Sequence, residues 1–289
     1  MDMQIPNRCM ESRFLSDARF RVYVDFAREY GDLQDDRLVR DLALRLYRWN
    51  ISAASVAFGY ISFVEVCVRN AMDQCLKTWI SQQLYHAPTD WLEIGVTDPV
   101  IRIRALINSE DRDYVSEAYK AAQRKQREWR SDQHHPRHGQ TVNRDDVFSQ
   151  LTLGTWDGML RRSGKDPELA HVLMRAFANV NDAWESEKRR MPNTRLPGNE
   201  NEPVEDRLRR EIVDRLTGIR LVRNRIAHDE NLLRVRFPKL RHDMFFILNA
   251  LDAACPNWAF PDHAVPLKTL NPLQVVKDFR ISYAFIEKE

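Results

Sequence analysis

Apolar residues recur along this chain at every third or fourth position and rarely at every second, the period of helices rather than strands. "DARFRVYVDFAREY", residues 17–30, reads as an amphipathic opening helix stopped by Gly31. From Asp35 an acidic turn leads into "RLVRDLALRLYRWN" and then "ISAASVAFGYISFVEVCV", residues 51–68, with helical character running on towards Gln83. One helix of that length is unusual, so a break is expected near Asn50 to Ser52. "PTDWLE", residues 88–93, reads as a turn with a short helix. A helical run then extends from Asp98 to Arg130, with Pro99 at a first helical position.

"SDQHHPRHGQTVN", residues 131–143, is a loop by its proline, glycine and histidines. Helices are expected from about Asp145 to Arg162 and from Pro167 to Arg189. "RMPNTRLPGNENEP", residues 190–203, is the clearest interruption. A long helix follows over residues 204–228, with acids in its first turn, where they suit the helix dipole. A last helix over residues 239–254 precedes a proline-rich tail. With no trusted strand pattern and no repeat, the expected class is all-α. The expected organisation is one domain over residues 1–255 with a C-terminal extension, 256–289, packed on it.

Composition narrows this picture. Hydrophobic residues make up 43% of the 289, enough for a substantial core, and only 9 are glycine, which disfavours β-hairpins. The 44 basic residues against 42 acidic ones leave a net charge of +2, so attraction to nucleic acid must come from local patches. Cys9, Cys67, Cys75 and Cys255 form no CxxC pair and read as buried thiols of a reducing compartment. The N-terminal stretch carries acids and no apolar run, unlike a signal peptide. Residues 51–68 are barely long enough to span a bilayer and contain Glu65, so a fully buried core helix is expected, in a soluble, cytoplasmic protein.

The candidate chemistry lies in "GIRLVRNRIAHDENLL", residues 218–233. Projected as a helix, Leu208, Ile212, Leu216, Ile219 and Ile226 form one stripe, and Arg223 falls inside it. Arg220, Asn224 and His228 share a neighbouring face, one turn apart, while Arg225 points to solvent. An arginine in an apolar stripe needs a carboxylate, carbonyls or a phosphate. Two readings follow. Arg223 belongs to a buried ion pair, with Glu65 as partner unless Glu65 pairs locally with Arg69. Alternatively, Arg223, Asn224 and His228 converge on a phosphodiester, the guanidinium stabilising charge and the imidazole moving protons. No carboxylate cluster suited to Mg²⁺ accompanies them, so no cofactor or metal is expected.

Other groups compete for attention. "KAAQRKQREWR" places Arg124, Lys125, Arg127 and Arg130 around Trp129, a combination that suits single-stranded RNA or merely a solvated helix end. His134, His135 and His138 suggest a metal, but Pro136 breaks any helix that would align them. Trp49, Trp79, Trp91 and Trp156 sit among apolar residues and read as core. "RLRREIVDR", residues 207–215, mixes signs as a solvated helix face does.

"LVRNRIAHDENLL" resembles the motif of the Abi-like (abortive infection) proteins of the HEPN ribonuclease superfamily, in which Arg-Asn is followed after three residues by His. "LYRWNISAASVAFGYISFVEVCVRNAMDQCL", residues 46–76, is similar to that family's N-terminal helix pair. "VNRDDVFSQLTLGTWDGML", residues 142–160, is similar to its Leu-Thr-Phe-Gly-x-Trp segment. The resemblance covers most of residues 20–235 and implies a HEPN-like helical bundle with additional helices. It further implies a metal-independent endoribonuclease that cuts by attack of the ribose 2′-hydroxyl. Arg223, Asn224 and His228 become its catalytic residues, with Arg220, Lys125, Arg127 and Arg130 on the RNA. The implied partners are a second copy of the chain, an RNA and an antitoxin protein, with no membrane. The implied biology is phage defence or toxin–antitoxin control. A non-cleaving module that holds an antitoxin-like or guide-like RNA is the alternative. Two positions depart from the family pattern: Asp229 stands where a second His is frequent, and Glu230 where some members carry a Tyr.

Overall fold

The computed structural model describes residues 15–83, 90–92, 98–109 and 112–286. Among them the chain is helical, with a lone antiparallel bridge between Ser109 and Arg112, so the class is all-α. It divides into two compact units. One holds residues 1–60, 222–241 and 264–289; the other holds 61–221 and 242–263. The first 14 residues, Cys9 among them, and Pro88, Thr89 and Glu93 of "PTDWLE" lie outside the described residues.

In the first unit, α1 (Asp17–Gly31) starts where the Ser16 hydroxyl accepts from the Arg19 N–H at 3.4 Å and ends at Asp32, whose φ of 52° is left-handed. Gly31 lets α1 approach its neighbour: a Cβ there would meet Leu42 Cδ2 at 2.9 Å. Phe20, Tyr23, Phe26 and Ala27 of α1 pack with Val39, Leu42, Ala43 and Leu46 of α2 (Asp36–Ser81), and with Leu233, Val276 and Phe279.

Helix α2 is unbroken over 46 residues, where a break near Asn50 was expected. The serines do not interrupt it, because their hydroxyls donate back to helix carbonyls, Ser52 to Arg48 and Ser55 to Ile51. The Asn50 amide is turned to a tertiary partner and does not compete with the helix backbone. Nor is the apolar stretch fully buried. Ala53, Ala57, Ile61, Val64, Val68 and Met72 are buried, but Ile51 and Phe58 are 49% and 46% exposed, as are Phe63 and Val66 to a similar degree. Both faces are apolar and only one is covered. Among the described residues this is the one helix long and apolar enough to cross a membrane, and 28% of its most apolar stretch is buried.

Short polar residues cut the second unit's runs more often than periodicity suggests. The run from Asp98 becomes α3 (Asp98–Ile107) and α4 (Tyr114–Ser131). Asn108 accepts from the Tyr114 N–H, and Asp113 caps α4 by accepting from Val115 and Ser116. The next becomes α5 (Arg144–Phe148) and α6 (Leu153–Arg162), with a capping box at Asn143. The third becomes α7 (Pro167–Met174) and α8 (Val180–Arg190), separated by a short 3₁₀ turn, Arg175–Phe177. The loops over 132–143 and 191–203 stand as expected, as does the long helix α9 (Val204–Ala227).

The helix after it, α10 (Phe237–Leu251), is not the last. The proline-rich tail folds into α11 (Cys255–Ala259), α12 (Val265–Thr269) and α13 (Pro272–Ile286). Pro256, Pro266 and Pro272 each sit in a first turn, where a missing N–H costs nothing. Trp91, Trp156 and Trp79 are core, Trp91 and Trp156 meeting edge to face at 5.9 Å. Cys67, Cys75 and Cys255 are free but half-buried rather than buried. A hydrogen bond between Cys67 and Cys255 pushes the first thiol up and the second down.

The sequence 207–215 is not a solvated face. Arg209 and Arg215 are both buried. Arg215 meets Glu187 at 3.1 Å, Glu211 at 2.7 Å and Asp243 at 3.3 Å, and lies 3.9 Å from the centre of the Phe246 ring. His242 Nε2 reaches Glu187 at 2.7 Å. Burial pushes the Glu187 carboxyl up, but the hydrogen bonds and charges of His242 and Arg215 outweigh it and hold it below the ordinary glutamate range. Replacing Arg215 by Leu leaves buried carboxylates without their cation and is expected to cost about 3–5 kcal/mol, read as a lowered urea midpoint with an unchanged slope.

Candidate active site

The candidate residues lie at the C-terminal end of α9, in the first unit. The stripe that directs this helix inward is present in Leu208, Ile212, Leu216 and Ile219, all buried. Burial thins towards the end. Arg223, Asn224 and Ile226 are half-buried, and His228 is exposed. The His228 N–H donates to the Asn224 carbonyl at 3.0 Å, which places their side chains one turn apart on the same face, as the helical projection requires.

The helix ends in a Schellman arrangement. The Asp229 N–H donates to the Ile226 carbonyl at 3.1 Å, and the Glu230 N–H to the Arg225 carbonyl at 2.8 Å. The left-handed position of this motif usually holds Gly; here it holds Asp229, with φ 53°. Asp tolerates that conformation better than most residues but still at a cost, which the surrounding structure must offset. Glu230 turns back to pair with Arg225 Nε at 3.4 Å. Arg225 is therefore half-buried and paired rather than fully solvated.

The chain leaving this motif is fixed at three points within the same unit. Asn50 Oδ1, itself buried, accepts from the Leu232 N–H at 2.7 Å. Trp49 packs edge to face on Phe237, with centroids 6.1 Å apart. Arg234 pairs with Glu29 at 3.0 Å. Trp49 and Asn50, singled out in sequence only as part of a pattern, thus clamp the segment that follows His228. An Asn in a helix next to an aromatic, far from any cap, was the available signal.

The other two segments with a family-like pattern also meet, in the second unit. Glu65 Oε1 accepts from the Leu153 N–H at 2.7 Å, capping the first turn of α6. Arg69 lies over Phe148, 5.4 Å from the ring centre.

Arg220, expected on RNA, has its Nε 2.7 Å from Asp157, a buried carboxylate that also binds Arg161 and Thr217. Its geometry is that of a packing arginine. Arg124, Lys125, Arg127 and Arg130 are exposed on α4. Trp129 beside them is already engaged: Arg137 lies 3.9 Å from its ring centre, and His135 stacks on it with planes 13° apart. Arg137 in turn pairs with Asp146, lowering that carboxyl below its ordinary range. The loop over 132–143 is thus folded against α4. Among the described residues no His, Cys, Asp and Glu group is arranged to hold a metal.

No family model, curated protein or solved structure matches this chain.

Removing the Asn50 carboxamide (Asn50→Ala) leaves the Leu232 N–H without its acceptor and is expected to cost about 1–3 kcal/mol. Hydrogen exchange at the Leu232 amide should accelerate well before that of the α1 core amides.

Proposed function

We propose that the chain is a metal-independent endoribonuclease of the HEPN type, as the three family-like segments imply. The observation that carries this reading is His228, an exposed imidazole immediately after the end of α9, with half-buried Arg223 and Asn224 in that helix's last turn. The clamped segment after it fixes where that turn ends.

In this reading a ribose 2′-oxygen attacks the adjacent phosphorus as its proton passes to an imidazole. The bond to the 5′-oxygen breaks, and that oxygen takes a proton from an imidazolium. The products are a cyclic phosphate and a 5′-hydroxyl. Arg223 stabilises the negative charge on the five-coordinate phosphorus, and Asn224 orients the pair. Two imidazoles serve this chemistry better than one, and the chain has one such motif, so two copies face each other. The exposed Ile51 and Phe58 on α2 support a homodimer, because an apolar surface of that kind calls for a cover. The cellular role that goes with this activity is phage defence or toxin–antitoxin control in the cytoplasm, with an antitoxin protein or RNA as restraint. The exposed cations of α4 favour a second reading, a module that holds RNA without cutting it.

A mixed cellular RNA pool incubated with the protein in EDTA separates the two. Wild type is expected to produce cyclic-phosphate ends, and folded His228→Ala to lose at least roughly 100-fold in rate while still binding RNA. Binding by both with cutting by neither selects the non-cleaving module. Equal cutting by both removes His228 from the chemistry.

The dimer has its own test. Phe58→Asp is expected to convert the protein to a monomer by light scattering and to abolish cleavage. A wild type that is already monomeric at working concentration overturns the composite site.

A further inference from the structure

The first unit carries a cavity of about 630 Å³. Its wall includes Arg234, Arg236, Lys239 and Lys268, and no carboxylate belongs to it. Among the described residues neither Arg236 nor Lys268 meets an acid, and both are exposed. The opposite character comes from Phe26 and Tyr30 of α1 and from apolar residues such as Leu270 and Leu273. Tyr30 and Leu273 are solvent-reachable, while Phe26 belongs to the core. Pro238 and Lys239 open α10, and Asn271 to Leu273 open α13, so two helices of 15 residues begin at this wall. Their N-terminal ends add partial positive charge to that of the side chains.

A site that combines exposed cations with aromatic and aliphatic surface excludes most ligand classes. A metal ion finds no donors. A purely apolar molecule would leave the charged groups poorly used, and a bare phosphate would leave the apolar wall wet. A phosphate joined to a flat heterocycle uses both, and the volume lies in the range of small-ligand pockets. We infer that this cavity binds a nucleoside phosphate unit, with Arg236 and Lys268 on the phosphate and the Tyr30 and Leu273 side against the base. The unit comes either from a free nucleotide or from one residue of an RNA strand. The segment from Leu233 to Lys239 that lines the cavity follows the His228 turn directly in the chain. A strand held here is therefore the version that deepens the ribonuclease reading, and that version rests on it.

The test is a titration, independent of turnover, of wild type and the Arg236→Glu/Lys268→Glu double variant. The ligands are a fluorescent eight-nucleotide single-stranded RNA and, separately, AMP, GMP, CMP and UMP. Matched thermal melts establish that the variant is folded, which the exposure of both side chains favours. Wild type is expected to bind at least one of these ligands, and the double variant at least roughly tenfold more weakly, with a shallower dependence on salt. Tyr30→Ala should weaken binding without changing the salt slope, since it removes contact area and not charge. Binding of the oligonucleotide but no mononucleotide assigns the site to a strand; binding of a mononucleotide assigns it to a free ligand. No binding by wild type, or equal affinity and equal salt slope for both proteins, overturns the inference. Repeating the titration with His228→Ala keeps the two readings apart, because loss of cleavage with unchanged binding condemns neither the pocket nor its ligand.

Discussion

A charge can leave water only in the company of its opposite, and the second unit is arranged around that rule. Arg215 draws Glu187 from α8, Glu211 from its own helix and Asp243 from α10 to one point, with the Phe246 ring beneath it. Once those partners are in place, the rotation of each of the three helices about its axis is fixed. Asp157 does the same for α6 and α9 through Arg161, Thr217 and Arg220. Asp73 does it for α2, the Trp91 turn and α5 through Trp91, Lys77 and Arg144. Several of these helices run to eleven residues or fewer, too short to persist in water alone. Their polar partners specify where they lie, while buried leucines and tryptophans supply most of the stabilisation.

The first unit uses a neutral version of the same constraint. A loop that turns from one helix into the next exposes backbone groups, and burying such a loop requires acceptors for its N–H groups. Asn50 supplies one for Leu232, and Leu233 then enters the core beside Phe26. The proposed chemistry gains from this indirectly. A reacting histidine is useful only if its position is reproducible, and the residue after it sits in a left-handed conformation that neighbouring structure must hold. Clamping the exit of the turn is a way to hold it.

What the sequence disclosed and what it hid follow from the same physics. Helical period is a property of neighbours three and four apart, so the helical class, the loops around Pro136 and Pro197, and the buried face of α9 were legible. Boundaries set by single side chains were not. Asn108, Asp113 and Asn143 end or begin helices through hydrogen bonds that a periodicity window averages away. Asn50 misled in the opposite direction, since a residue that usually weakens a helix interior was spoken for by a partner 182 positions distant. The tail prolines looked like breakers and prove to be starters. At the site, the projection correctly placed Asn224 and His228 on one face. It did not reveal that Arg215, eight residues before Arg223, is buried, because two of the carboxylates that receive it, Glu187 and Asp243, come from other helices. The cationic cavity was equally hidden, its residues being scattered from Phe26 to Leu273.

The 182-residue span between Asn50 and Leu232 also sets a clock for synthesis. A ribosome adding about 5–20 residues per second needs roughly 10–40 s to deliver the acceptor's partner after Asn50 has been made. Through that interval α1 and the front of α2 have no Leu233 or Phe279 to close over them, and the apolar stretch from Ile51 to Val68 is already present. The second unit's first segment, residues 61–221, is complete before the first unit can be. The turn that carries His228 therefore takes its final form only after residues 61–221 have been made.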